Sequence, residues 1–420
     1  MTTRAGTCIT DLRAPVLTDV QRLALDHGER HPVDLRVEQV LAAAADRTGL
    51  EDFGPDDFRS RLALWLAEVD ADPERTGLGR LMLFGDCVRY ASNRLRIRDV
   101  LVRHPEVSAV DIGAPIVVVG LPRSGTTHLV NLIAADTRLR SLPLWESYEP
   151  VPGPDESPGG GDRSSARYRR AEQAWRAMEA TLPLMGVMHP MHPDHVHEEL
   201  ELQLPDFSSY QLEWVARVPR WRDHYLAHDQ TPHYAYLKSV LQILHARRPR
   251  TRWVLKSPQH LEQLGPLMRT FPDATVVVTH RDPVSVVQSA ATMMTYAARM
   301  SYRSPDPDFY IAYWTDRVRR LLEASLRDAH LVPADRRVDV LYDEFMADEL
   351  GTVARIYDAA GLAMTDAARA EIAAYRAAHA RGPGGGVAYD LRADFGVEPE
   401  ALRGSFAFYE RAVPVRTEVT

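Results

Sequence analysis

The chain has 420 residues, of which 45% are hydrophobic and 26% charged; that is enough apolar material for one large core or two smaller ones and sets disorder and fibrous repeats aside. Its formal net charge of −8 argues against a nucleic-acid partner, because neutralising phosphates takes a basic face, although a local basic pocket is compatible with it. Two distant cysteines, Cys8 and Cys87, imply no disulfide framework, and without a signal-type apolar stretch or a membrane-length apolar run the expected location is cytoplasmic.

Residues 1–33 mix Thr, Asp, Arg and Pro without a period and read as an irregular arm with one short helix around residues 20–25. Over 34–110 the spacing is helical: Val37, Val40, Leu41 and Ala44 share a face, as do Leu62, Trp65 and Val69, which predicts an all-helical N-terminal region. The main domain is placed at 111–420. Its first strand is the β-branched run at 115–119, followed by a glycine-bearing turn and a periodic apolar segment, Leu129, Val130, Leu132 and Ile133. Residues 150–165, rich in Pro, Gly, Asp and Ser, are expected to form a mobile surface loop. Residues 167–248 are helical in period and aromatic-rich, an insertion covering one side of the sheet. Strands follow at 253–255, 274–279 and 338–341, separated by helical stretches. The alternation predicts an α/β fold with a parallel sheet flanked by helices.

The segment Gly120-Leu121-Pro122-Arg123-Ser124-Gly125-Thr126-Thr127 lies between strand and helix, where backbone N–H groups and the helix dipole converge on an anion. It keeps the glycine spacing of the nucleotide-triphosphatase loop, but Thr126 takes the place of the lysine. Arg123 supplies a cation inside the loop instead, with a fork suited to a phosphate or sulfonate oxygen. The plainer reading, a bare glycine turn, fits this context less well. Further on, Arg281 stands where the strand at 274–279 gives way to a helix opened by Pro283, and Ser289 lies two turns into that helix. Ligands of open α/β sheets collect outside the carboxyl ends of the strands, so the loop and the Arg281 turn should share one crevice and one nucleotide.

On these residues the sequence resembles the sulfotransferases that use 3′-phosphoadenosine 5′-phosphosulfate (PAPS), and among them a bacterial branch with a helical N-terminal region. The resemblance implies a P-loop-type sheet. It makes Arg123, Ser124, Gly125, Thr126 and Thr127 the 5′-phosphosulfate loop and Arg281 with Ser289 the 3′-phosphate site. Tyr342, in Val340-Leu341-Tyr342-Asp343-Glu344-Phe345, matches a tyrosine beside the nucleotide, with the acidic order changed. Arg381, ahead of a glycine run, matches a basic segment that closes on the 3′-phosphate. The insertion at 167–248 would then cover the acceptor site.

For proton removal the sequence offers His260. Ser257 is expected as an N-cap and Pro258 as the first helical residue, so His260 falls in a first turn whose dipole favours neutral imidazole. Lys256 would neutralise charge on the leaving oxygen. In the resembled family a lysine and a histidine two positions apart fill these roles; here four separate them. The rival base is the group Glu198-Glu199-Glu201, with Glu199 as its candidate and only one of the three expected to point inward. His189, His192, His195 and His197 with Asp194 lack the regular spacing of a zinc site and read as acceptor-pocket wall; no metal is expected. The partner is a small-molecule alcohol or phenol, apolar by the methionines and aromatics around it, and a lipid acceptor would bring peripheral membrane contact. Two other classes stay open: a P-loop kinase or nucleotidase needing magnesium, and a non-catalytic nucleotide-binding protein.

Overall fold

Four valine-rich strands set the architecture. A computed structural model describes residues 6–153, 156, 163–379 and 386–420. Strands β1 (Thr7–Cys8), β2 (Ile116–Gly120), β3 (Leu139–Arg140), β4 (Arg252–Lys256), β5 (Thr275–His280), β6 (Arg337–Leu341) and β7 (Val387–Ala388) form two sheets. The main one has the order β3-β4-β2-β5-β6 and every pairing in it is parallel. The small one pairs β1 with β7, a contact that gives the expected irregular arm a fixed position.

Side chains of a strand alternate between faces, and here both faces are dry. Val117 and Val119 of β2 join the core containing Leu255, Val276 and Val278; Ile116 and Val118 join the opposite one with Val254, Val277 and Val340. Each buried valine or isoleucine contributes about 1.5–3 kcal/mol, and two dry faces need helices on both sides. α5 (Thr126–Ala134) and α16 (Glu349–Ala359) cover one face; α11 (Thr231–Arg247), α13 (Pro283–Ser301) and α14 (Pro307–Asp328) cover the other.

The N-terminal region is helical as expected: α1 (Asp19–Arg30), α2 (Val37–Thr48), α3 (Phe58–Asp70) and α4 (Gly77–Arg103). α1 exceeds the short helix expected at 20–25 because Thr18 and Gln21 close a capping box at its start. α6 (Leu144–Tyr148) precedes the insertion, which holds α7 (Ala166–Thr181), α8 (Pro183–Met188), a 3₁₀ stretch at Glu199–Asp206, α9 (Leu212–Val215) and α10 (Pro219–Ala227) before α11. Asp206 joins region and insertion: it accepts from Arg61 at 2.8 Å and Arg94 at 2.9 Å and pairs with His233. Much of the loop expected at 150–165 lies outside the described residues. Among the described residues no helix is long and apolar enough to cross a membrane.

Candidate active site

β2 and β5 are neighbours, with Gly120 opposite Thr279, so the loop after one strand and the turn after the other leave the sheet side by side. The Thr279 hydroxyl fills the space beside Gly120, where a Cβ would lie 1.9 Å from its Oγ1. Ser124 bridges the pair, its Oγ 2.8 Å from Thr279 Oγ1 and donating to the Leu121 carbonyl at 2.6 Å. Gly125, at φ 86°, lies against the Tyr342 ring, which a Cβ would meet at 2.9 Å. Arg123 also holds a positive φ, 69°, a conformation that costs a residue with a Cβ about 1–2 kcal/mol.

Two guanidinium groups converge on this loop. Arg123 donates from Nε to Ser289 Oγ at 2.9 Å and from Nη1 to the Met188 carbonyl, and its Nη2 lies 3.4 Å from the Tyr389 hydroxyl. Arg281 donates from Nη1 to the Arg123 carbonyl at 2.6 Å and lies 4.1 Å over the Tyr342 ring. Burial opposes its charge, but Glu418, Tyr342 and Asp282 outweigh that and raise its pKa. Arg123, Ser124, Gly125, Thr126, Thr127, Arg281, Ser289 and Tyr342 thus stand together, with Ser289 on Arg123 where a partnership with Arg281 was expected. Arg381 lies outside the described residues.

Beside the loop, Lys256 ends β4. Its Nζ pairs with Glu198 and reaches Thr127 Oγ1 at 3.3 Å, while its backbone N–H donates to Glu199 Oε2 at 2.7 Å. Glu199 Oε1 is 2.5 Å from His260 Nε2, and His260 Nδ1 is 2.6 Å from the Tyr234 hydroxyl. His260 is 1% exposed. The sequence placed it in the first turn of a helix; Pro258–Glu262 is a short 3₁₀ turn, and both ring nitrogens have a hydrogen-bond partner within the protein. The acidic trio also differs from expectation. Glu199 and Glu201 are both buried, because the stretch that carries them runs beneath the N-terminal helices and not along the surface. Glu198, at its N-cap, keeps 15% of its side chain accessible.

The profile of the sulfotransferase family matches residues 115–366, the span that holds the loop, Lys256, Arg281 and Tyr342. The chain belongs to the sulfotransferase family. Two solved structures share its fold. The sulfotransferase STF9 from Mycobacterium avium is 26% identical with a TM-score of 0.82, over 92% of this chain and 99% of that one. The sulfotransferase STF1 from Mycobacterium tuberculosis H37Rv is 30% identical with a TM-score of 0.75, over 88% and 98%. No curated protein sequence matches significantly.

In this sulfotransferase two histidines of the insertion, the half-buried His189 and the buried His195, stand near the cations of the site. His189 Nδ1 and His195 Nε2 are buried without a hydrogen-bond partner. Burial, with the charges of Lys256 and Arg123 nearby, pushes His189 down to about 3; burial, with His197, His189 and Lys256, pushes His195 down to about 2. Among the described residues no three His, Cys, Asp or Glu are grouped to hold a metal ion. Since the unfolded chain binds the proton at an ordinary histidine pKa of about 6.5 and the folded one does not, stability should fall as pH drops below that value, by about 1.4 kcal/mol per pH unit for each such residue. Urea unfolding between about pH 7 and about pH 5 will check this. His195→Asn should flatten the slope, and a parent whose midpoint does not move contradicts the assignment.

Sequence reasoning did not single out Glu198 within its trio, gave Tyr234 no role beyond the aromatics of the insertion, and did not reach Tyr389 or Glu418. Glu198 had a local signal, its place in the acidic run. The other three come from segments whose approach only the tertiary fold creates.

Proposed function

We propose that this cytoplasmic sulfotransferase takes its sulfonate from PAPS and passes it to the hydroxyl of a small apolar alcohol or phenol, without a metal. The donor reading rests on one observation: Arg281 Nη1 reaches the Arg123 carbonyl at 2.6 Å, so an anion pocket at the loop and another at the β5 turn adjoin within the reach of one adenosine nucleotide. Arg123, Ser124, Thr126, Thr127 and the loop amides hold the 5′-phosphosulfate; Arg281 takes the 3′-phosphate, with Ser289 and Tyr342 beside it. A sulfonate carries less charge than a terminal phosphate, so placement by arginine, lysine and backbone donors is sufficient.

The acceptor oxygen forms a bond to sulfur in line with the sulfur–oxygen bond to the 5′-phosphate. That bond breaks with its electron pair going to the phosphate, and adenosine 3′,5′-bisphosphate leaves. The acceptor's proton goes to Glu198, the carboxylate with an accessible edge beside Lys256. Lys256 Nζ, once Glu198 is protonated, turns to the departing oxygen. His260 and Glu199 act as positioning residues, since Glu199 holds the Lys256 backbone.

An apolar acceptor is supported by a cavity of about 180 Å³ whose walls include Trp214, Met294, Phe309 and Trp314, with Arg217 and Glu213 among its polar groups. Incubation with PAPS and a panel of apolar alcohols and phenols, with and without EDTA, tests the reading. Products heavier by one SO₃ are expected under both conditions. Dependence on magnesium, or no thermal shift with adenosine 3′,5′-bisphosphate, would overturn it.

A further inference from the structure

In the structure the 3′-phosphate arginine is already occupied. Nε and Nη2 of Arg281 donate to the two carboxylate oxygens of Glu418, each at 2.7 Å, the parallel arrangement in which a guanidinium binds a carboxylate or a phosphate most strongly. The pair is partly sheltered, with 21% and 27% of the two side chains accessible.

The Glu418 side chain is not what keeps its segment there. Glu418 N–H donates to Asp282 Oδ2 at 2.7 Å and Val419 N–H to the same oxygen at 3.3 Å. Arg403 grips both sides, donating to the Val419 carbonyl at 2.7 Å and to Asp282 at 3.0 and 3.1 Å. Asp282 is fully buried and follows Arg281 directly in the chain. A backbone clamp at one residue therefore posts a carboxylate on the guanidinium of the residue before it.

We propose that Glu418 is an internal competitor of the 3′-phosphate: it holds Arg281 until an anion of higher charge displaces it, and so weakens binding of 3′-phosphorylated nucleotides selectively and narrows their advantage over nucleotides with a free 3′-hydroxyl. The inference rests on the PAPS reading of the crevice. A phosphate monoester carries nearly two charges at neutral pH and offers three acceptor oxygens, against one charge and two oxygens for a carboxylate. A nucleotide with a 3′-phosphate exchanges one bidentate partner for a stronger one. A nucleotide with a 3′-hydroxyl cannot make that exchange and leaves Glu418 in place. The same competition weakens retention of adenosine 3′,5′-bisphosphate after transfer.

Calorimetric titration with adenosine 3′,5′-bisphosphate and with adenosine 5′-monophosphate tests this on the parent, Glu418→Gln, Arg281→Ala and the double variant. Glu418→Gln should tighten the bisphosphate about two- to fivefold, the worth of a partly exposed bidentate pair, and leave the monophosphate unchanged. In the Arg281→Ala background the same substitution should change neither. Glu418→Asp, too short to span both nitrogens, should fall between parent and Gln, which guards against a folding defect in one variant. Equal tightening of both nucleotides would reduce the effect to general charge repulsion and overturn the inference, as would weaker bisphosphate binding. If no variant and no parent protein binds the bisphosphate, the PAPS reading fails first and the inference with it.

Discussion

Glu198→Gln is expected to lower kcat by about 10²–10⁴-fold while the KM for the donor changes little. The amide has nearly the shape of the carboxylate but cannot take a proton, and it leaves Lys256, 1% exposed, without the charge that now faces its Nζ. His260→Ala should behave differently. It leaves Glu199 Oε1 without its partner in a carboxylate that is 1% exposed, and so should cost about 1–3 kcal/mol of stability, with turnover per folded molecule within about threefold of the parent. Steady-state kinetics normalised to folded protein separates the two. If the effects are reversed, with His260→Ala inactive and Glu198→Gln close to the parent, the proton goes to the histidine after all.

Arg317→Ala should destabilise the fold by about 3–5 kcal/mol in urea denaturation. Arg317 is fully buried and donates to Glu213 at 2.8 and 3.1 Å and to Glu262 at 2.9 and 3.0 Å. Removing it leaves two enclosed carboxylates with no cation between them, and burial already pushes the Glu213 carboxyl up with the arginine present. The network ties α14 to α9, on the cavity wall, and to the turn after β4 that carries His260, so activity should fall along with stability. Replacing all three together, as Arg317→Met, Glu213→Leu and Glu262→Met, should restore much of the loss, because no unpaired charge remains. A single variant as stable as the parent would mean that water or rearrangement solvates the two carboxylates.

The strands at β2, β4 and β5 were legible to within a residue or so because each centres on a continuous apolar run, as a strand dry on both faces must; β6, at the sheet edge, showed through the alternation of Val338 and Val340 about Asp339. β3 has only Leu139 and Arg140, too short for any period. β1 and β7 pair across almost the whole chain, and neither dipeptide carries a pattern of its own. The anion loop was readable for the opposite reason: Gly120, Gly125 and the residues between them act through local backbone geometry, which sequence specifies directly. The partners of His260 were not legible because its environment is not local. Its partners Tyr234 and Glu199 are 26 and 61 positions away, and what turns a surface-type histidine into a locked one is their arrival. Glu418 on Arg281, 137 positions off, was beyond the reach of any motif.

Because Asp206 engages Arg61, Arg94 and His233 at once, the helices before β2 and those above the cavity share a single keystone. Anyone recombining this enzyme with relatives to alter its choice of acceptor would need to exchange the two layers as one cassette, since a chimaera that crosses over between them would inherit a buried acid without its matching cations.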